Sequence, residues 1–437
     1  MTTRIVITGM GIVTPYGIGP AALWSGLLAG QSAVRAITAF DASHVRCRAG
    51  GQLLDFQAER YVNQRIVRKV DRFSLFGLVA GQQALEDAGV TSEDLKHPVG
   101  ADATLVEQLA TGQDHVGITV GNNLGGWEFA ERELYHLWQQ GPRAVSPYMA
   151  TAWFPAAVQG NISIQFGIKG IGRTFLGERT ASAYAIIHAA HCLQQELVDL
   201  MLAGGVEAPF SPYAVLCYET SGLMSAQAAE HPGTAYRPFD RNHDGLVAGE
   251  GGAFLVLERA TDALRRGARI YAELAGWAAT QDGYNCTRPA PDGRRYADAM
   301  TLAMRRAGIT SEQVDAIFAA GSAVPVEDET EVRAVRLAFG RRAERVPVSA
   351  PKAAFGNLFG AATAVDVVLA LLALKHGVIP ATLNLDQPAP ECDLDYVAWQ
   401  PRGLPGLHTV AVNARGIGGT NACLILRRWP VSEGRGG

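Results

Sequence analysis

Several features that would mark common functional classes are scarce in this sequence. Its six cysteines (Cys47, Cys192, Cys217, Cys286, Cys392 and Cys423) lie far apart among 437 residues, with no CxxC spacing. That argues against a disulfide framework or a zinc knuckle and for a reducing, cytoplasmic setting. Charge of one sign is also lacking: the net charge is −4 and the charges are scattered. Neither a basic stripe for nucleic acid nor a polybasic membrane patch is present. Met1, Thr2, Thr3 and Arg4 run straight into apolar residues, without the layout of a signal peptide. The longest apolar run, Ala361 to Leu374, carries Asp366 and falls short of the ~20 residues a membrane span needs, so a buried helix is expected there. The ten histidines form no triad-like or metal-like set and are expected at the surface.

What the sequence does have is apolar material, 48% of residues, and 49 glycines clustered beside apolar runs. That suffices for a large core with tight strand-to-helix turns. Strands are expected at 4–8, 116–120, 200–203, 253–258, 316–319 and 409–413. Helices are expected at 71–88, 127–139, 182–195, 297–307, 329–339 and 361–375. The alternation predicts an α/β fold with helices covering mixed sheets.

An internal comparison suggests a duplication. Residues 84–95 read ALEDAGVTSEDL and 303–314 read AMRRAGITSEQV: six of twelve positions are identical at an offset of 303 − 84 = 219, half the chain. In each copy a helix is expected to end at Ala-Gly. The expected division is 1–260 and 261–428, with a flexible tail at 429–437 and fraying already from Arg427. The polar stretch Lys96–Asp114 reads as a surface loop. Gly9-Met10-Gly11 lacks the third glycine of a dinucleotide-binding fingerprint (Thr14 stands there) and reads as a tight turn.

Six segments together carry a family resemblance: RIVITGMGIVTPYG (4–17), DRFSLFGLVAGQQALEDAG (71–89), MLAGGVEAPF (201–210), YRPFDRNHDGLVAGEGGAFLVLE (236–258), GVIPATLNLDQPAPECDLDY (377–396) and GIGGTNACLIL (416–426). The chain resembles the β-ketoacyl synthases of the thiolase fold from about residue 3 to 428. The resemblance implies two similar halves forming a five-layered αβαβα sandwich, usually dimeric.

Active members need an acylated cysteine at a helix start and two histidines. By their neighbours, the three places here hold Arg179, Ala320 and Asn357. A guanidinium is a permanently charged donor and cannot attack a thioester. General acid–base groups are worth ~10²–10⁴ in rate, so losing all three implies no condensation by this chain alone. Lys352, Asp328 and Glu331 match the family's supporting network and are retained. Arg179 reads as a plug paired with Glu178 or with an acid of a partner chain.

One branch of the family is built this way: the chain length factor, or ketosynthase β subunit, of type II polyketide synthases. Its usual glutamate–glutamine pair matches Glu178 but not Arg179, which puts any priming decarboxylation in doubt. In that branch a helix closes the end of the partner's tunnel, and the matching positions are Trp127, Ala130 and Leu134. Their i, i+3, i+7 spacing spans roughly 10 Å on one helical face, with Ala130 leaving room. A phenylalanine gate near the C-terminus is replaced by Arg415-Gly416-Ile417-Gly418-Gly419.

The resemblance implies a heterodimer with a ketosynthase α subunit, served by an acyl carrier protein bearing phosphopantetheine. No cofactor or metal is expected on this chain. Two alternatives stay open: an independent acyl-processing enzyme using Glu178 or Asn357, and a homodimeric scaffold.

Overall fold

The computed structural model describes residues 3–91, 115–227 and 231–430. In its first half the order is β1 (Ile5–Thr14), α1 (Arg72–Asp87), β2 (Val116–Asn122), α2 (Trp127–Gln140), α3 (Ala157–Phe166), β3 (Gly172–Leu176), α4 (Ala181–Gln194), β4 (Leu200–Glu207) and β5 (Gly251–Arg259). The second half follows with β6 (Ala272–Gln281), α5 (Arg294–Arg306), β7 (Ala316–Phe318), α6 (Pro325–Phe339), β8 (Val348–Ser349), α7 (Ala362–His376), β9 (Thr409–Gly416) and β10 (Thr420–Arg428). Short helices and turns fill the intervals.

The strand order is β3-β2-β4-β5-β1 in the first half and β8-β7-β9-β10-β6 in the second, so each strand n has its counterpart at n + 5. The directions agree as well. The first three strands of each set run parallel and the last two pair antiparallel. The sets are also hydrogen-bonded to each other at one corner, where Ile5–Ile7 of β1 face Ala272–Leu274 of β6. This joint continues one sheet into the other, a connection not foreseen from the sequence.

Five layers follow from the packing. Helices α4 and α7 touch strands of both sets and lie between them, whereas α1 and α3 cover one outer face and α5 and α6 the other. The central layer holds the largest apolar cluster, with Ile186 and Ala189 of α4 and Val365 and Leu369 of α7 against Ile7, Leu255 and Leu424 of the sheets. Apolar on all sides, α7 is a buried helix, as expected. The window Phe359–His376 is long and apolar enough to cross a membrane by composition alone, but it is 89% buried inside the protein.

The matching helix ends have a steric cause. A Cβ at Gly9 of β1 would lie 2.3 Å from the Ala84 carbonyl oxygen and 2.7 Å from the Ala88 methyl. At Gly276 of β6 it would lie 2.2 Å from the Ala303 oxygen and 2.9 Å from the Ala307 methyl. In each half one glycine and two alanines let helix backbone press onto strand backbone. Gly9 and Gly11 are therefore interior strand residues, and the tight turn expected there is corrected. Gly89 and Gly308, both at φ +67°, end the two helices in the left-handed conformation.

Two further expectations change. Strand β10 runs through Arg428, and Trp429 packs beneath the Arg4 guanidinium at 4.2 Å, so the chain is held past Arg427. The segment Lys96–Asp114 and residues 431–437 of the expected tail lie outside the described residues. All six cysteines are free, and no His/Cys/Asp/Glu group suited to a metal ion occurs among the described residues.

Candidate functional site

The site lies where β3 turns into α4. Gly177 ends the strand, Glu178 adopts φ +51°, and the one-turn segment Glu178–Thr180 leads into the helix. Left-handed backbone at a non-glycine residue costs about 1–2 kcal/mol and needs support from its surroundings. Glu178 Oε2 supplies part of it by accepting from Arg179 Nε (2.7 Å) and the Ile417 amide (3.1 Å). Gly416 sits so close that a Cβ there would meet Gly177 O at 2.8 Å.

Arg179 is 4% exposed. Its Nη1 and Nη2 donate to the two oxygens of Glu327 at 2.6 and 3.0 Å, a bidentate pair with a residue of its own chain. The expected Glu178 pairing is present, and Glu327, which local sequence does not announce, is added to it. Glu327 also lies 3.4 Å from Arg415 Nη1, and Arg415 Nη2 reaches Asp282 Oδ2 at 3.1 Å. Five buried charged side chains thus form one chain, Glu178–Arg179–Glu327–Arg415–Asp282. Burial opposes charge on Arg179, yet the two glutamates outweigh it and raise its pKa further. Burial likewise opposes charge on Glu327, but Arg179 prevails and holds that carboxyl below its usual value.

Ala320 and Asn357 border the same place. With Arg179, Lys352, Asp366 and Arg415 they line a residual cavity of about 10 Å³. That is room for about one water molecule. The three positions are therefore neighbours in space, and side chains leave little free volume between them. Asn357 is held at both ends of its amide: its Nδ2 donates to Tyr236 Oη (3.1 Å) and its Oδ1 accepts from the Phe359 amide (2.9 Å).

The retained residues now support backbone. Glu331 accepts the amides of Ala320 and Gly321, each at 2.9 Å. Asp328 accepts those of Phe239, Ser322 and Ala323 at 2.7, 3.0 and 3.1 Å. Lys352 Nζ bonds Ala319 O (2.6 Å) and pairs with Asp366 (2.9 Å). Burial lifts the Asp366 carboxyl to about 6 although Lys352 pulls the other way. His243, expected at the surface with the other histidines, is instead buried at its side chain, with Nδ1 2.9 Å from Asp328 Oδ2.

The gate positions separate in the structure. Trp127 and Leu134 of α2 are half-buried, and the Trp127 ring lies 4.8 Å from that of Tyr213. Ala130 is 2% exposed inside its own chain, so it leaves no room at a shared surface. On a helix facing its own core at Phe129, Ala130 and Glu133, the i+3 position falls on the buried side.

Fold and site together define a ketosynthase-like scaffold with a buried cluster of ion pairs at the start of α4. The chain belongs to the β-ketoacyl synthase family: residues 2–263 match the family's N-terminal domain and 271–386 its C-terminal domain. It is 35% identical to 3-oxoacyl-[acyl-carrier-protein] synthase 2 of Synechocystis sp., over 98% of each chain. It is 38% identical to the tetracenomycin polyketide synthase ketoacyl synthase beta subunit of Streptomyces glaucescens, over 97% of this chain and 98% of that one. The solved ishigamide ketosynthase/chain length factor superposes with a TM-score of 0.88 at 28% identity, covering 98% of this chain and all of the other. The α/β thiolase-like fold is thereby shared with ketosynthase structures.

Proposed function

We propose that this chain is a non-catalytic chain length factor, the β subunit of a heterodimeric polyketide ketosynthase. An α subunit performs decarboxylative condensation, and this chain shapes the end of the tunnel. The observation that carries the reading is the occupied reaction centre. Arg179 is locked to Glu327 and Glu178, Ala320 and Asn357 stand in the histidine positions, and about 10 Å³ of space remains. The likeness to a polyketide synthase beta subunit and to a ketosynthase/chain length factor supports the choice of branch.

A surface feature supports the partner. Tyr135, Trp138, Trp153, Phe154, Ile164 and Leu176 are all more than a third exposed and fall within 42 residues of sequence. Exposed apolar side chains of this size suit an interface where they lie side by side on the surface. An acyl carrier protein would deliver substrates on its own phosphopantetheine, and no prosthetic group is required on this subunit.

The test uses radiolabelled malonyl and acyl carrier proteins. The purified chain alone should acquire no label and release no product, whereas the same chain with an intact α subunit should support elongation. Turnover by the chain alone would overturn the reading in favour of an independent acyl-processing enzyme.

A further inference from the structure

Helix α2 begins without a capping side chain. Its N-cap is Gly126, and no larger residue fits, because a Cβ there would lie 2.2 Å from Ala152 O. A helix start leaves amides needing an acceptor, usually supplied by the N-cap side chain to the second or third residue. Here the acceptor comes from elsewhere in the chain. Asp71 caps its own helix, α1, with Oδ1 accepting from Phe73 N at 3.0 Å, and its Oδ2 accepts from Phe129 N, the third residue of α2, at 2.8 Å. One carboxyl thus bridges two helix starts, reaching an amide 58 residues along the chain.

We propose that Asp71 is the positioning residue that seats α2, and through it sets where Trp127 and Leu134 stand. The inference rests on the chain-length reading above.

The choice of residue supports it. Capping α1 alone requires a single acceptor, for which serine, threonine or asparagine serves as well as aspartate. Only a carboxyl offers a second acceptor at the same reach. It is kept at a cost, since Asp71 is 3% exposed and burial pushes its carboxyl up to about 7 despite the two amides. Glu128 raises it further and Arg132 lowers it. Two other carboxylates tie α2 outward: Glu133 Oε2 accepts Ser146 N at 2.7 Å, and Glu131 Oε2 accepts Tyr213 N at 3.2 Å. Asp71 is the tie beneath the residues in question.

The experiment compares Asp71→Ser, which retains an acceptor for α1 but cannot reach α2, with Trp127→Ala in the reconstituted heterodimer. In Asp71→Ser, amide exchange in 127–134 should quicken roughly tenfold, as for loss of one hydrogen bond to a charged acceptor, with 72–87 unchanged. The product spectrum should broaden while total malonyl consumption stays within about twofold. Should the serine variant fail to assemble, Asp71→Asn makes the same comparison, because with its one acceptor oxygen on Phe73 its NH2 group faces the Phe129 amide. If Trp127→Ala alters product length and Asp71→Ser does not, the positioning role falls and the chain-length reading stands. If neither alters it, both fall. Equal loosening of both helices would mark Asp71 as a fold-wide support and also overturn the proposal.

Discussion

A guanidinium at the start of a helix works against the local field, because the first-turn amides already present positive charge. Arg179 tolerates that place through Glu178 and Glu327. Replacing it by alanine leaves two buried carboxylates short of a partner, and breaking such pairs costs about 3–5 kcal/mol. A urea titration of Arg179→Ala should show a lower midpoint at unchanged slope, and an unchanged midpoint would mean the pairs are dispensable. His243 gives a pH-dependent counterpart. Burial disfavours its charged ring, but the Asp328 hydrogen bond and charge outweigh this and raise its pKa above 6.5. Its contribution is therefore complete below pH 6.5 and lost as pH rises through the higher folded value. The stability deficit of His243→Gln should be larger at pH 6 than at pH 9, measured by denaturant titration at both. Of these residues, Arg179, Ala320 and Asn357 were legible because neighbouring motifs mark their places. Glu327 and Asp282 were not, since they meet their arginines across 148 and 133 residues and nothing local announces a buried pair.

At the scale of elements, six of the ten strands were readable from apolar, β-branched runs, and β3, β6, β8 and β10 were not. Strand β3 reads Gly-Arg-Thr-Phe-Leu and is mostly exposed, so it lacks the apolar signature of a buried parallel strand. Helix α2 was readable from its amphipathic pattern, but not which of its residues face inward. That distinction changes the choice of gate variants. An indole at Ala130 would overpack the interior, at a typical cost of about 1–3 kcal/mol. Trp127 and Leu134 are the positions to vary. Trp127→Ala should lengthen the products of the reconstituted pair and Leu134→Trp should shorten them, read by mass spectrometry of the released chains. Unchanged lengths in both variants would remove the gate assignment.

For the whole molecule, the half-length repeat was visible in twelve residues, and the structure supplies its cause in the glycine–alanine contacts of both halves. The corner joint between β1 and β6 was hidden, because hydrogen bonds between backbones leave no trace in side-chain identity. The outer edge of β3 pairs with nothing beyond β2 among the described residues, and an open edge flanked by apolar side chains favours association. Changing Ile164 (83% exposed) and Leu176 (61% exposed) together to lysine should abolish co-purification with an α subunit. The isolated chain's melting temperature should hardly move, since exposed positions tolerate such changes. Persistence of the complex would place the interface elsewhere.

The five-membered charge chain also bears on any attempt to install a nucleophile at this centre. Three acids share two guanidiniums, so placing cysteine at position 179 alone would leave Glu178, Glu327 and Asp282 with one arginine among them. The resulting thiol would have no histidine beside it and a less stable scaffold beneath it. A single substitution at this centre therefore costs stability before it supplies any reactive group.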